Sequence, residues 1–455
     1  MNTFKPEQLE QWDKDYVWHP FTQMREHRKE KPLIIERGEG SYLFDVEGKK
    51  YLDGISSLWV TVHGHGKEEI NRAIKEQLEQ LAHSTLLGQA NIPSILLAKN
   101  LAAITPSGLD YVFYSESGST AVEIALKIAY QYWQQQGNEK NKSKRKFVSL
   151  VNAYHGDTIG SVSVGGIDLF HKIFSHLLFE TINAPAPHCY RCPWDLSKEN
   201  CSMQCVDEME TILVRRRREI AGVIVEPLVM GAAGMLVMPE GYLSKLRELC
   251  TKNNVLLIAD EVAVGFGRTG KMFASEHENV KPDLMCLAKG ITGGYLPLAA
   301  TMATGEIYDA FLGEIEECKT FYHGHTYTGN PLGCAAALAS LELFEKENLI
   351  EALEEKISFL THGLERFKEL KHVGDVRQKG MMVGIELVEN KESKEPFPVE
   401  ANIPHRVILE ARKNGLIIRP LDNVIVLMPV LSMSLSEMKD VLDITCAAIK
   451  KVTEG

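Results

Sequence analysis

Leu257-Ile258-Ala259-Asp260-Glu261-Val262-Ala263-Val264-Gly265-Phe266-Gly267-Arg268-Thr269-Gly270-Lys271 decides the fold when it is read with Leu284-Met285-Cys286-Leu287-Ala288-Lys289-Gly290 further along. Val255 to Ala259 is a short, continuously apolar run that breaks off in Asp260-Glu261. Leu284 to Ala288 is another; it breaks off in Lys289 and is followed by Gly290, Gly293 and Gly294. Such runs, rich in branched residues and separated by helical stretches, read as strands of a sheet buried on both faces. Ligands of open α/β sheets bind beyond the carboxyl ends of the strands, where both charged groups emerge. An uncharged environment lowers the pKa of a lysine and frees its amine for a Schiff base. A carboxylate at a neighbouring strand end can keep a pyridinium nitrogen protonated and make the ring an electron sink. Spacing alone also allows a plain strand-end salt bridge between Asp260 and Lys289.

Working outward, Phe147 to Val151 and Val223 to Val225 are runs of the same kind. Ile70, Ala73, Ile74, Leu78 and Leu81 recur at helical spacing, and Thr120 to Trp133 is a second helix pattern opened by Ser117-Gly118-Ser119. The fold class is therefore α/β: a mostly parallel central sheet flanked by helices over residues 61–333. Beyond Gly333 a long apolar helix begins near Cys334, and Gly374 to Val388 and Leu416 to Met428 alternate like strands. These form a smaller α/β unit over 334–455. The segment 1–60, with short strands at Leu33-Ile34-Ile35 and Tyr42-Leu43-Phe44 around the turn Asp45-Val46-Glu47-Gly48, is expected to join it.

The 455 residues carry 50 basic and 61 acidic side chains, a net charge of −11, which argues against a general grip on nucleic acid. The single basic run, Arg215 to Arg218, sits among helix formers and reads as a solvated face. No stretch approaches the roughly 18–20 apolar residues of a membrane span, and Met1 to Pro6 holds no apolar signal core. Nine cysteines, an odd number, do not make a secreted disulfide framework. A cytoplasmic protein is expected.

Ser117-Gly118-Ser119-Thr120 before a helix is either an anion site suited to a phosphate or an ordinary cap. Tyr154-His155-Gly156-Asp157 follows an apolar strand, so its ring either stacks on a flat cofactor at the sheet edge or fills the core. Taken together, these residues resemble the pyridoxal-phosphate enzymes of fold type I, in the class III (ω-amino acid) aminotransferase group. The stretch Leu257 to Lys271, then Pro282-Asp283-Leu284 and Lys289 to Gly294, carries the likeness. Trp18-His19-Pro20, Ser56-Ser57-Leu58-Trp59, Ala82-His83-Ser84, Asn152 to Asp157 and Phe321 to Tyr327 are similar to the branch of that group that aminates 8-amino-7-oxononanoate in biotin synthesis.

The resemblance implies pyridoxal 5'-phosphate as cofactor, a homodimer with shared active sites, and small-molecule substrates. By it, Lys289 would carry the cofactor covalently and Asp260 would pair with its pyridine nitrogen. Gly118 and Ser119 would hold the phosphate, His325 and Thr326 would complete that site from the partner subunit, and Tyr154 would stack on the ring. Trp59, Gly324 and Arg419 would contact the keto acid together with Tyr154 and Lys289, with the Arg419 fork suited to a carboxylate. Phe21 stands where relatives that use S-adenosylmethionine as amino donor often carry tyrosine, so lysine stands beside S-adenosylmethionine as donor. A broader ω-amino acid aminotransferase and a glutamate-semialdehyde-type aminomutase share the same machinery.

Cys189, Cys192, Cys201 and Cys205, with His188 beside them, are spaced either as a loop-closing zinc site or as reduced thiols; the first would suit a zinc-organised interaction protein. His63-Gly64-His65 and His323-Gly324-His325 read as tight turns, and no metal is assigned to them. Glu226-Pro227 ends a strand, either at the site or simply as a turn.

Overall fold

The computed structural model describes residues 4–138, 140–197 and 200–455, so the first three residues of the opening segment lie outside it. In chain order the strands are β1 Ile35–Glu39, β2 Tyr42–Asp45, β3 Lys50–Asp53, β4 Leu109–Ser115, β5 Lys146–Leu150, β6 Ile182–Ala184, β7 Ile220–Val225, β8 Val229–Met230 and β9 Leu236–Val237. They continue as β10 Leu256–Asp260, β11 Leu284–Leu287, β12 Ala299–Thr304, β13 Val373–Lys379, β14 Met382–Leu387, β15 Leu416–Ile417, β16 Arg419–Leu421 and β17 Val424–Leu427. The large sheet runs β4-β12-β11-β10-β7-β5-β6. Only β12 is inverted, antiparallel to both neighbours; the pairs among β11, β10, β7, β5 and β6 are parallel.

Side chains alternate across this sheet as the pleat requires. Ile224 and Ile258 pack with Ala121, Ile124 and Ile128 of the helix Gly118–Gln135. Val223, Val225 and Leu257 point the other way, into Leu213 of the helix Gln204–Arg216 and Leu243 and Leu246 of the helix Tyr242–Lys252. With helices on both faces, every residue of β7, β10 and β11 is buried, which is why those strands read as unbroken apolar runs. The Arg215–Arg218 run falls at the end of the helix Gln204–Arg216.

Two four-stranded sheets flank this core, and β8 pairs with β9 in a two-stranded one. β13-β14-β17-β16 is antiparallel, and β1-β2-β3 takes β15 as its fourth strand, with Leu416 opposite Leu52. The turn between β2 and β3 forms as its residues require: Asp45 Oδ1 accepts from the N–H groups of Glu47 and Lys49 at 3.0 and 2.9 Å, and Gly48 takes φ +81°. The helix expected near Cys334 is Pro331–Lys346, and it packs on the helices Glu68–Gln80 and Ile92–Ile104. Of the apolar series on Glu68–Gln80 only Ile70 is buried; the chain turns extended at Leu81, and Leu78 faces outward. No described helix is long and apolar enough to cross a membrane.

Candidate active site

Parallel pairing sets Asp260 at the end of β10 opposite Cys286 in β11, and Lys289 follows where the chain leaves β11. Both side chains face one cavity of about 620 Å³ beyond the carboxyl ends of the strands. Lys289 sits at φ +49°, and its amine lies 4.7 Å from the centre of the Trp59 ring, itself held at φ +66°. Two bulky residues in the left-handed region at one cavity mark a site where the surrounding fold overrides local preference. Among the described residues the amine makes no hydrogen bond, so the strand-end salt bridge does not form. Burial pushes the Lys289 pKa down to about 8, against the opposing pull of Asp260 and Glu226.

Asp260 is anchored from two sides. His155 donates from Nδ1 to Oδ2 at 2.7 Å, and the N–H of Val262 donates to Oδ1 at 3.1 Å. The remaining His155 nitrogen, Nε2, is buried without a partner among the described residues. Glu226 lines the same cavity; its two oxygens accept from the N–H groups of Tyr154 and Gly231 at 3.1 and 2.9 Å. Burial raises its carboxyl to about 7. A strand-terminating turn is therefore not its whole role, because it fixes the backbone that carries Tyr154.

Ser117 is spent on the helix: its hydroxyl accepts from Thr120 N–H at 3.2 Å in a reciprocal cap. Gly118 and Ser119, at the first turn of Gly118–Gln135, line the cavity beside it, and such N–H groups have no partner within the helix. A Cβ on Gly118 would lie 2.5 Å from Val262 Cγ1, so only glycine lets the helix end come this close to the turn after β10. Ser119 Oγ accepts from Thr158 N–H at 2.9 Å, which brings the loop after β5 onto the same edge.

Arg419, at the start of β16, lies in an adjoining cavity of about 470 Å³ with Phe21 and Phe170. Its guanidinium is 6.0 Å from the Phe21 ring centre, Phe21 meets Phe170 edge-on at 5.3 Å, and Phe170 meets Tyr154 at 6.3 Å. Among the described residues Arg419 has no hydrogen-bonding or ionic partner, and burial lowers its pKa. The neighbouring Glu386 is already taken by Arg377 and Arg191 at 2.7 and 2.8 Å. An aromatic wall thus runs from a free guanidinium toward a free amine.

One chain does not assemble every expected residue. His325 reaches the cavity edge, where Nδ1 meets the carboxylate of Glu116 at 2.5 Å, but Gly324 and Thr326 are exposed and line neither cavity. His63 bonds Ser340 while His65 bonds Asp53, and His323 meets Lys127 with the His325 ring 5.0 Å from its own. Cys189, Cys192, Cys201 and Cys205 line a cavity of about 20 Å³ and none is in a disulfide. Among the described residues, no three of their sulfurs come within 4.8 Å of one another. His155 and Thr158 were not singled out from the sequence; the Tyr154-His155-Gly156-Asp157 segment after β5 was the signal available for both.

The geometry has counterparts among known proteins. The profile of the aminotransferase class III family matches residues 23–449. An adenosylmethionine-8-amino-7-oxononanoate aminotransferase of Geobacter sulfurreducens is 53% identical over 456 residues, covering 100% of each chain. The protein of that name from Staphylococcus aureus is 53% identical over 98% of each. The crystal structure of the Methanocaldococcus jannaschii protein of that name superposes with a TM-score of 0.94 at 51% identity, over 98% of this chain and 100% of that one. An (S)-enantioselective omega-transaminase of Thermomicrobium roseum superposes with a TM-score of 0.94 at 36% identity over 100% of both. With an unpaired lysine and a clamped aspartate at the ends of adjacent parallel strands, and with likeness along its whole length, the chain belongs to the class III aminotransferase family.

Proposed function

We propose that this chain transfers an amino group to 8-amino-7-oxononanoate, giving 7,8-diaminononanoate, with pyridoxal 5'-phosphate as cofactor and S-adenosylmethionine as first amino donor ahead of lysine. The observation that carries the reading is the pair of unpartnered cations, Lys289 and Arg419, joined by the wall Tyr154–Phe170–Phe21. The relatives' names supply the substrate, and a keto acid with an apolar chain and a terminal carboxylate suits that wall and that guanidinium.

The residues present fit the cofactor. Lys289 would hold its aldehyde carbon, Asp260 its ring nitrogen, Tyr154 its ring face, and the N–H groups of Gly118 and Ser119 its phosphate at a helix N-terminus. His325 and Thr326 from a second copy of the chain would close the phosphate side. When bound, the cofactor supplies an electron-withdrawing ring that stabilises negative charge on the carbon bearing the amino group. His155 would keep the Asp260 carboxylate aimed toward the ring nitrogen. The Lys289 amine, freed when the donor amine takes its place, would move a proton between the donor carbon and the cofactor, work that its lowered pKa suits. Arg419 holds the carboxylate end of the acceptor, while Trp59, and Gly324 from a second copy of the chain, would bound its chain. Phe21, which lacks a hydroxyl, lies beside Arg419 without offering a hydrogen bond to the donor.

A homodimer is part of the same proposal. Leu87, Ile92 and Ile95 are 88%, 72% and 56% exposed, an apolar face of the kind a second copy covers. The units are taken to divide near residues 60 and 333, and the enzyme to work in the cytoplasm. Incubation of the purified protein with cofactor, keto acid and either donor in parallel, followed by assay of the diamine, tests the reading. Diamine formed with one donor supports it. Amination of simple ω-amino acceptors alone would mark a broader transaminase, and turnover without any donor an aminomutase.

A further inference from the structure

Away from both cavities, three ligand-type side chains converge on the N-terminal arm. Asp13, on the helix Pro6–Tyr16, meets His19 Nε2 with Oδ1 and His27 Nε2 with Oδ2, each at 2.9 Å. The two imidazole centres are 4.3 Å apart. Among the described residues this is the one group of three whose ligating atoms all lie within 4.8 Å of one another.

We propose that Asp13, His19 and His27 bind a divalent transition ion, zinc in the first instance, which pins the arm around the turn that carries Phe21. Two imidazole nitrogens and one carboxylate oxygen are the donor set of borderline ions, whereas magnesium and calcium call for oxygen-rich sets. The side chains of Asp13 and His27 are 17% exposed and that of His19 is 31% exposed, so the group is sheltered yet open to an ion and a water as fourth ligand. An imidazole that carries its proton on Nδ1 presents the Nε2 lone pair to the ion.

The arm needs such a tie. The helix Pro6–Tyr16 buries none of its residues, so packing within the chain does not fix it. Between His19 and His27 the backbone passes through Phe21 at φ +50°, a conformation that ordinary side chains rarely adopt. The three side chains therefore bracket a strained turn whose ring lies against Phe170 and beneath Arg419. That the ion would thereby steady the substrate wall rests on the function proposed above; metal binding itself does not.

The test uses the full-length holoenzyme, stripped with a chelator and dialysed. Zinc titrated by calorimetry should bind with one site that His19→Ala and His27→Ala weaken at least about 100-fold. Cobalt in its place should give visible bands without the near-ultraviolet thiolate charge transfer that the four cysteines would produce. Asp13→Asn, which keeps the shape of the side chain, guards against misfolding and should behave like the histidine variants while cofactor content stays at the wild-type level. Zinc should also slow proteolytic cleavage between Val17 and Thr22 in the wild type alone. Equal uptake by wild type and all three variants, no uptake at all, or a cobalt spectrum of thiolate type would overturn the assignment and leave a hydrogen-bonded clamp. None of these readouts is the aminotransferase assay, so the two proposals fail separately.

Discussion

Lys289 and Arg419 are both cations withdrawn from water and, among the described residues, left without a carboxylate partner, yet they call for different tests. The amine of Lys289 titrates near 8, so its nucleophilic form grows as pH rises through that value. Covalent uptake of pyridoxal phosphate by the apoprotein, trapped with borohydride, should climb between about pH 6 and 9 and then level off. A flat profile would contradict the buried, unpaired amine. The linked stability effect has the same sign. Between about 8 and the ordinary lysine value of 10.5 the unfolded chain binds more protons than the folded one, so this group's contribution to stability improves with pH across that window. Lys289→Ala should lose the borohydride-stable label and cut turnover by roughly 10²–10⁴-fold or more with the fold intact; near-normal turnover would refute the assignment. Arg419→Ala acts elsewhere. Loss of a charge-assisted pair of about 1.5–3 kcal/mol should raise KM for the keto acid roughly 10- to 150-fold and leave cofactor content unchanged. A variant that sheds cofactor but keeps its keto-acid affinity would remove Arg419 from the substrate.

At the scale of elements, the first turn of Gly118–Gln135 is where cap and site meet. Ser117→Ala should cost about 0.5–2 kcal/mol in denaturant unfolding, because it strips the hydroxyl from Thr120 N–H. Gly118→Ala forces a methyl onto Val262 and should cost about 1–3 kcal/mol and loosen the cofactor; Val262→Ala in the same chain should restore much of both. Elements differed in how openly the sequence declared them. β7, β10 and β11 were legible because burial on both faces demands unbroken apolar residues, and their ends then delivered Asp260 and Lys289. β12 was not: Ala299–Thr304 is mostly alanine and threonine, and alanine has little strand preference of its own, so pairing with β4 and β11 makes the strand. His155 was hidden for a related reason. A histidine in a loop gives no sign of its partner until the fold brings in Asp260, 105 positions along the chain. Arg419 and Phe21 were reached through family likeness, since nothing in a short edge strand or an N-terminal arm announces a cavity.

For the whole molecule the question is where the site ends. In one chain the loop after Phe321 presents Gly324 and Thr326 to solvent, while Tyr322 and Tyr327 are 79% and 58% exposed beside them. Polar and aromatic residues held outward on this loop, together with the exposed apolar Leu78, Leu87 and Ile92, are the kind of surface a second copy would receive. If Thr326 serves the partner's phosphate site, two inactive proteins should repair each other. Lys289→Ala keeps a sound Thr326, and Thr326→Glu, which sets a charge against the phosphate, keeps a sound Lys289. A heterodimer of the two, purified through different tags, contains one site built from the intact half of each. Its activity should return to about half that of the wild type, while each parent homodimer stays inactive. A heterodimer as inactive as its parents would place Thr326 at the site of its own chain, and an active Thr326→Glu homodimer would remove it from the phosphate altogether.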